Sequence, residues 1–190
     1  MDQAVRKRMT LEEFLAWERR QELRYEFDGI RPIAMTGGTL GHSAIATNLV
    51  VSLQTLLRGG PCRAFRSDVK IIVADHVRYP DAVVTCTPAP PGTDIVPEPV
   101  VVVEVLSPST ASTDRSAKNA EYRATPSIQH YVMLEQSAAS ATVFSRAGYD
   151  WIGRLVMGLD AVLALPALGV EVPLAEIYAG IELAEDEADD

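Results

Sequence analysis

The sequence predicts a single α/β (α+β) layered domain with a mixed central sheet. Of its 190 residues, 47% are hydrophobic, which is enough to build one buried core. The apolar run Val100–Leu106, interrupted only by Glu104, is typical of a strand that is buried on both faces. Segments with helical spacing precede and follow the predicted strands, so we expect the core order helix, three strands, helix and strand.

The N-terminal part of the chain predicts a helix, a hairpin and a second helix. Thr10 begins the first helix, because Glu13 three residues later completes a capping box. An Asp-Gly pair between short apolar runs predicts a β-ribbon over residues 24–35. A glycine-rich loop follows, and apolar side chains at helical spacing then predict a helix over residues 42–57.

The remainder of the chain predicts alternating strands and helices. We expect strands over residues 66–74, 79–85, 100–106 and 128–134, and a helix over residues 113–124. Short β elements follow between residues 141 and 172, and a short helix over residues 173–178. Residues 1–181 are expected to form this single domain, and residues 182–190 an acidic, solvated tail.

Composition excludes several classes of protein. No apolar run approaches the roughly 18 residues of a membrane span, and no charged-then-apolar leader opens the chain, so we expect no membrane partner. Cys62 and Cys86 are too few for a disulfide scaffold and have no histidine at zinc-ligand spacing. A reduced, cytoplasmic setting is therefore expected.

Two acids in the predicted sheet indicate the chemistry. Asp81 follows Pro80 at the start of an apolar strand, and Glu104 lies within the next strand. A carboxylate in a buried strand is costly unless it is paired, hydrogen-bonded or bound to a metal. If the two strands are neighbours, the acids meet at one end of the sheet, where a divalent cation removes their mutual repulsion. Oxygen ligands without a His or Cys cluster suit Mg²⁺ or Mn²⁺.

Each of these acids also has a structural explanation. Glu104 could form a buried pair with Arg66 or Arg123, and Asp81 could end a turn after its proline. A third residue strengthens the functional interpretation, because Lys118 lies on the helix that follows the Glu104 strand. That lysine could hold a phosphate or orient a water, or it could be an exposed lysine that pairs with Asp114 or Tyr122, each four residues away.

Several motifs together resemble one known family. They are Tyr25-Glu26-Phe27-Asp28-Gly29, His42 at a helix start, Tyr79-Pro80-Asp81, Glu104-Val105-Leu106-Ser107-Pro108-Ser109-Thr110, and the spaced Asp114, Lys118 and Tyr122. Over about residues 10–178 this pattern resembles the Uma-two family of restriction endonucleases, in the PD-(D/E)XK nuclease superfamily. The resemblance implies a restriction-endonuclease-like core and metal-dependent hydrolysis of DNA phosphodiester bonds.

The resemblance also implies roles for individual residues. Asp81, Glu104 and the carbonyl of Val105 would bind Mg²⁺, with Mn²⁺ as the other candidate cation. The superfamily's E-x-K lysine falls at position 106, where this chain has Leu106. The resemblance therefore assigns the lysine's role to Lys118, which would steady the attacking hydroxide or the phosphorane charge.

Four further residues are second-rank candidates. Lys70, on the first predicted strand, is the rival of Lys118. Glu26 could close the site or bind a second metal, or it could form a cross-strand pair with an arginine. His42 could act at the site or be a helix-start residue with a satisfied ring, and Asp68 could be a site carboxylate or a strand-edge surface acid.

The net charge of -9 argues at first against a nucleic-acid partner, because such proteins usually present a basic surface. Six of the 26 acids lie in residues 182–190, and without them 20 acids face 17 Lys and Arg residues, a net charge of -3. The charge therefore does not exclude DNA. We expect weak, metal-dependent and salt-sensitive binding, through a homodimer that pools Arg63, Arg66, Lys70 and Arg78.

Two other functions remain open on the sequence. The chain could be a non-catalytic homodimeric module that keeps the nuclease fold, in which case Mg²⁺ and Mn²⁺ would neither bind nor stabilise it. It could also be a metal-dependent phosphodiesterase that uses Asp81 and Glu104 on small substrates and leaves DNA intact.

Overall fold

The computed structural model describes residues 8–35, 37–107 and 114–183, without the side chains of Asp114 and Arg115. In chain order its elements are α1 (Leu11–Glu18), β1 (Tyr25–Phe27), β2 (Pro32–Ala34), α2 (Leu40–Leu56), β3 (Arg63–Arg66), β4 (Ile71–Val73), β5 (His76–Arg78), β6 (Ala82–Thr85), β7 (Pro99–Val105), a π-helical turn (Asp114–Lys118), α3 (Asn119–Ala124), β8 (His130–Leu134), β9 (Ser140–Ala147), β10 (Asp150–Met157), β11 (Val162–Leu165), a 3₁₀ turn (Pro166–Leu168), β12 (Val170–Pro173) and α4 (Leu174–Ile177). Residues 184–190 of the predicted tail lie outside the described residues.

A six-stranded mixed sheet forms the centre of the fold, in the order β10-β9-β8-β7-β6-β3. Its β7–β8 pair is parallel, and its other pairs are antiparallel. The parallel pair requires a crossover, which carries the π-helical turn and α3. The predicted core order of helix, three strands, helix and strand is confirmed as α2, β3, β6, β7, α3 and β8. A four-stranded sheet, β2-β1-β5-β4, and the β11-β12 pair complete the described strands.

The core lies on both faces of the six-stranded sheet. On one face α2 packs against β7, with Ile45, Leu49 and Leu53 fully buried in a cluster that includes Val103. On the other face Tyr122 of α3 and Tyr131 of β8 lie in a second cluster. Within the described ranges, no helix combines the length and the apolar character that crossing a membrane requires.

The N-terminal elements follow their local signals. The side-chain oxygen of Thr10 accepts from the Glu13 backbone N–H at 3.1 Å, and the Glu13 carboxylate accepts from the Thr10 N–H at 2.9 Å, which confirms the capping box. Asp28 accepts hydrogen bonds from the N–H groups of Ile30 and Arg31, and these close the turn between β1 and β2. The predicted β-ribbon is thereby confirmed.

The strand predicted over residues 66–74 is wrong in one respect. The structure divides it into β3 and β4, which belong to different sheets. A tight hairpin then joins β4 to β5 through Ala74 and Asp75, whose φ angles are 46° and 65°. An alanine in this left-handed region carries no sequence signal for a turn, because glycine and asparagine are the residues that usually mark it. The strand predicted over residues 79–85 is shorter in the structure, because β6 begins at Ala82 and residues 79–81 connect it to β5.

The two cysteines lie opposite each other at the ends of β3 and β6. The register pairs Arg63 with Thr85, and the next step brings Cys62 to Cys86, which form a disulfide bond. Two cysteines are too few for a disulfide scaffold, and this pairing was not among the predictions from the sequence. The sequence could not reveal it, because the contact depends on the register of two strands that are 24 residues apart.

Removal of this disulfide is expected to lower stability. It closes a loop with a sequence separation of 24 residues, so the Cys62→Ser/Cys86→Ser variant is expected to lose about 3 kcal/mol of unfolding free energy. Urea denaturation of the oxidised protein, the reduced protein and the double variant measures this loss. Equal midpoints for all three samples would contradict the prediction.

Candidate active site

Asp81 lies immediately before β6, and its position is fixed from two sides. Its Oδ2 accepts a hydrogen bond from the backbone N–H of Val105 at 2.7 Å and lies 3.1 Å from Nε2 of His42. The hydrogen bond to Asp81 raises the pKa of His42 above its ordinary value, although burial acts against this, and the backbone of Val105 acts in the same direction. Asp81 and His42 therefore form one polar cluster at the end of β7.

The start of α2 positions His42. Thr39 caps the helix, since its side-chain oxygen accepts from the His42 N–H at 3.1 Å. The Thr39 hydroxyl also donates to Gln136 at 2.8 Å, and Gln136 in turn donates to the carbonyl of Leu106 at 2.7 Å. These contacts fasten the first turn of α2 to the end of β7, where Asp81 lies.

Glu104 lies opposite Asp81 in the sheet. The antiparallel register pairs Ala82 with Val103, so the next step along the two strands brings Asp81 opposite Glu104. Glu104 is 4% exposed, which makes its burial costly without partners. The predicted meeting of these two acids at one end of the sheet therefore agrees with the register.

Lys118 and Tyr122 contact the Glu104 carboxylate. Its Oε1 accepts from Nζ of Lys118 at 3.1 Å and from the Tyr122 hydroxyl at 2.8 Å. Burial, and then the Glu104 charge, raise the pKa of Tyr122 well above its ordinary value, so its hydroxyl stays a donor. Lys118 ends a π-helical turn, a feature frequent at functional sites. Of the two arginines considered as partners of Glu104, Arg66 donates to Thr47 and Arg123 lies over the Phe144 ring.

Glu26 joins the same cluster from β1. Its Oε1 lies 3.1 Å from Nζ of Lys118, and its Oε2 accepts from Arg78 at 3.2 Å. The register pairs Phe27 with Val77, so Glu26 and Arg78 are cross-strand neighbours. This is the cross-strand pair with an arginine that the sequence offered as one interpretation of Glu26. Lys118 therefore lies between two carboxylates, those of Glu26 and Glu104.

Arg78 and Glu121 support this cluster and were missed from the sequence as site residues. The guanidinium of Arg78 binds both carboxylate oxygens of Glu121, at 2.8 and 2.7 Å, and also contacts Glu26. The pair fastens α3, directly after Lys118, to β5. No local sequence signal links these residues, because 43 positions separate Arg78 from Glu121.

Lys70 belongs to a different cluster. Its Nζ donates to Glu18 at 2.7 Å and lies 2.8 Å from Asp94, and the Tyr79 hydroxyl donates to Glu18 at 2.6 Å. Burial lowers the pKa of Lys70, but its hydrogen bonds to Asp94 and Glu18 outweigh this effect and raise it above its ordinary value. Burial and the Glu18 carboxylate raise the pKa of Tyr79 to about 12. Of the two rival lysines, Lys118 contacts Glu104, whereas Lys70 contacts Glu18.

The remaining predicted residues lie elsewhere. Asp68 has an exposed side chain that pairs with Arg24 at 3.2 Å. Of the two interpretations of Asp68, the structure therefore supports the surface acid. The expectation that Lys70 and Arg78 contribute to a DNA-binding surface is wrong, because they are 4% and 3% exposed and engaged in ion pairs. Pro108, Ser109 and Thr110 of the predicted motif lie outside the described residues.

The donor set of the site fits a hard divalent cation. Asp81 and Glu104 lie opposite each other, and the backbone of Val105 lies beside His42 and Asp81. Carboxylate and carbonyl oxygens are the ligands that Mg²⁺ and Mn²⁺ take. In the part of the chain that the structure describes, no group of three His, Cys, Asp or Glu side chains is arranged as a complete metal site. Two carboxylates with a backbone carbonyl are thus the set available at this strand end.

Gly38 provides room for the His42 ring. A Cβ added at Gly38 would lie 2.8 Å from Nδ1 of His42, whereas a Cβ added at Gly37 would meet nothing within 4 Å. Gly38→Ala is therefore expected to displace the ring from Asp81 and to lower the pKa of His42 toward its ordinary value, because the hydrogen bond to Asp81 is the main cause of the raised pKa. An NMR titration of His42 measures this change. Gly37→Ala is the matched control, and the same His42 pKa in both variants would contradict this role of Gly38.

The chain is similar in sequence to several known proteins. The sequence profile of the Uma2 family, described as "Putative restriction endonuclease", matches residues 11–175. Two proteins of Synechocystis sp., each named only as uncharacterized, are similar over most of their length. The protein slr1290 is 33% identical over 178 residues, covering 92% of this chain and 93% of the relative. The protein sll1609 is 28% identical over 165 residues, covering 83% and 93%.

One solved structure shares the fold. It is described as "a putative nuclease belonging to DUF820" from Anabaena variabilis, and it superposes with a TM-score of 0.74 at 20% sequence identity. The match covers 90% of this chain and 97% of that one. The likeness extends over nearly the whole chain and confirms the predicted restriction-endonuclease-like core.

Proposed function

Because the chain belongs to the Uma2 family of restriction-endonuclease-like proteins, we propose that it is a Mg²⁺-dependent endonuclease that hydrolyses DNA phosphodiester bonds. The family description and the nuclease fold support a hydrolase that acts on nucleic acid. One observation carries the proposal beyond the family: Lys118 contacts Glu104, and Glu104 lies opposite Asp81. Two acids and a lysine at one strand end are the groups that metal-assisted phosphoryl transfer uses.

Asp81, Glu104 and the carbonyl of Val105 would hold Mg²⁺ or Mn²⁺. When bound, such a cation supplies Lewis-acid polarisation of a phosphoryl oxygen and makes a nearby water more acidic. The His42 imidazole and the Val105 N–H orient the Asp81 carboxylate, because both contact its Oδ2. Supporting contacts of this kind fix a ligand's orientation before the cation arrives.

Lys118 stabilises the charge that develops on the phosphate during hydrolysis. Lys118 is 6% exposed, and the Glu26 and Glu104 carboxylates restrict the position of its ammonium. A preorganised cation in such a water-poor site lowers the barrier more than a mobile surface lysine would. Tyr122 orients Glu104 by donating its hydroxyl to the same carboxylate oxygen that Lys118 contacts.

We also propose that the protein binds DNA as a homodimer in the cytoplasm. A single chain with a net charge of -9 offers few cationic side chains to DNA phosphates. A homodimer doubles the number of these contacts. Arg63 and Arg66 remain the candidates for phosphate contacts. The first is exposed, and the second is partly exposed on β3 and donates to Thr47 of α2.

Cleavage of supercoiled plasmid tests the proposal. We expect nicking in the presence of Mg²⁺ or Mn²⁺, loss of nicking on removal of the cation with EDTA, and recovery when Mg²⁺ is returned. Hydrolysis of a model phosphodiester with intact plasmid would instead support the small-substrate phosphodiesterase. Neither activity, together with no cation binding by calorimetry, would support the non-catalytic module.

A further inference from the structure

The outer edge of the six-stranded sheet presents a surface that the proposed cleavage does not use. β10 lies at this edge and spans eight residues, without the lysine or proline that commonly protects edge strands. Three of its apolar side chains are more than half exposed, namely Ile152 (62%), Leu155 (59%) and Met157 (63%). A long apolar edge strand is typical of a surface that pairs with another strand.

The register of the β9–β10 hairpin determines which backbone groups lie along this edge. Gly148 and Tyr149 form a two-residue turn, so Ala147 and Asp150 close the hairpin as a hydrogen-bonded pair. The bond from the N–H of Gly158 to the carbonyl of Ala139 at 2.9 Å continues the same alternation. The groups that point away from β9 are therefore the backbone N–H and C=O of Trp151, Gly153, Leu155 and Met157.

An antiparallel register centred on Ile152 satisfies these groups between two copies of the strand. With Ile152 opposite Ile152 of the second copy, Trp151 faces Gly153 across the edge, and both direct their backbone groups outward. The same register sets Asp150 opposite Arg154 at two symmetric positions, where side chains of opposite charge attract. Registers centred on Asp150 or on Arg154 would instead set like charges opposite each other.

The same register also accounts for exposed apolar side chains. It sets Leu155 opposite Tyr149, whose side chain extends fully into solvent beside the turn. Ile152 meets its own copy on the two-fold axis. Charge complementarity and apolar burial therefore select the same alignment, and both favour a second copy of this chain as the partner.

We propose that β10 pairs with β10 of a second copy in the antiparallel register centred on Ile152, which joins the two central sheets into one. This inference rests on the homodimer proposed above and names its interface. It is independent of cleavage, because β10 carries none of the residues assigned to the catalytic site.

Sedimentation equilibrium of the full chain tests the interface. The wild type is expected to sediment as a dimer of twice the 20.6 kDa chain mass. Asp150→Arg and Arg154→Asp each turn two attractive pairs into repulsive ones, so each is expected to raise the dimer Kd about tenfold.

The double variant Asp150→Arg/Arg154→Asp exchanges the charges and is expected to restore the wild-type Kd. Arg58→Asp makes the same charge change at an exposed position after α2 and is expected to leave the Kd unchanged.

The outcomes separate this inference from the proposed function. A monomeric wild type would overturn the interface and the homodimer together and would leave plasmid cleavage to be judged by its own assay. A dimer whose Kd ignores both reversals, or one that the double variant fails to restore, would overturn the interface alone. Circular dichroism of each variant excludes misfolding as the cause of a raised Kd.

Discussion

Replacing Asp81 by Asn or Glu104 by Gln is expected to lower plasmid cleavage about 10²–10³-fold, because each change removes a charge that would hold the cation at the reacting phosphate. The chain offers a matched control in Asp68→Asn, which removes a carboxylate whose side chain is exposed and lies outside the cluster. This control is expected to cleave at the wild-type rate. Initial nicking rates at saturating Mg²⁺ measure the three variants against the wild type.

A structural role for the two acids predicts a different result. Under that role Asp81→Asn and Glu104→Gln would lower the midpoint of thermal unfolding and leave the cleavage rate of the folded protein unchanged. If the two acids instead bind the cation, Mn²⁺ raises the unfolding midpoint of the wild type and has no such effect on Asp81→Asn. Wild-type cleavage by either acid variant would contradict their assignment as metal ligands.

The second large effect is expected at Lys70, and it concerns stability. Lys70→Met leaves the buried Glu18 carboxylate without its cation, which is expected to cost about 3–5 kcal/mol of unfolding free energy. Asp94→Asn removes the exposed partner of the same lysine and is expected to cost less than about 1 kcal/mol. Urea denaturation measures both variants, and equal losses would contradict the distinction between the two acids.

Lys70→Met also distinguishes the two rival lysines. At a temperature where it remains folded, it is expected to cleave plasmid at the wild-type rate, because Lys70 contacts Glu18, Asp94 and Tyr79. Lys118→Met is expected to lower cleavage about 10²-fold, since it removes the cation beside Glu104. A loss of cleavage in folded Lys70→Met with full activity in Lys118→Met would reverse the assignment.

Local signals predicted the parts of the fold that depend on neighbouring residues. Thr10 and Glu13 form their capping box, and the apolar run that only Glu104 interrupts becomes a strand with neighbours on both sides. The pairing of Asp81 with Glu104 was also predictable. An acid in an apolar strand needs a partner, and two such acids meet if their strands are adjacent. That these two strands are neighbours followed from the predicted order of helices and strands, which rests on the spacing of apolar residues.

The parts that escaped prediction depend on contacts between distant segments. Lys70 meets Glu18 across 52 residues and Arg78 meets Glu121 across 43, so no spacing rule identifies either partner. The same two basic residues, Lys70 and Arg78, were expected at a DNA-binding surface, because their charge was visible in the sequence and their burial was not. The hairpin at Ala74 was missed since the conformation that it adopts is uncommon for alanine.

A crystal soaked in Mn²⁺ provides the most direct test of the central claim, that Asp81 and Glu104 form a cation site beside Lys118. We predict an anomalous peak within coordination distance, about 2.0–2.3 Å, of carboxylate oxygens from both acids. The carbonyl of Val105 is expected as a third ligand, and His42 is expected to keep its contact with Asp81. Full Mn²⁺ occupancy elsewhere on the chain, with no peak between these two carboxylates, would contradict the claim.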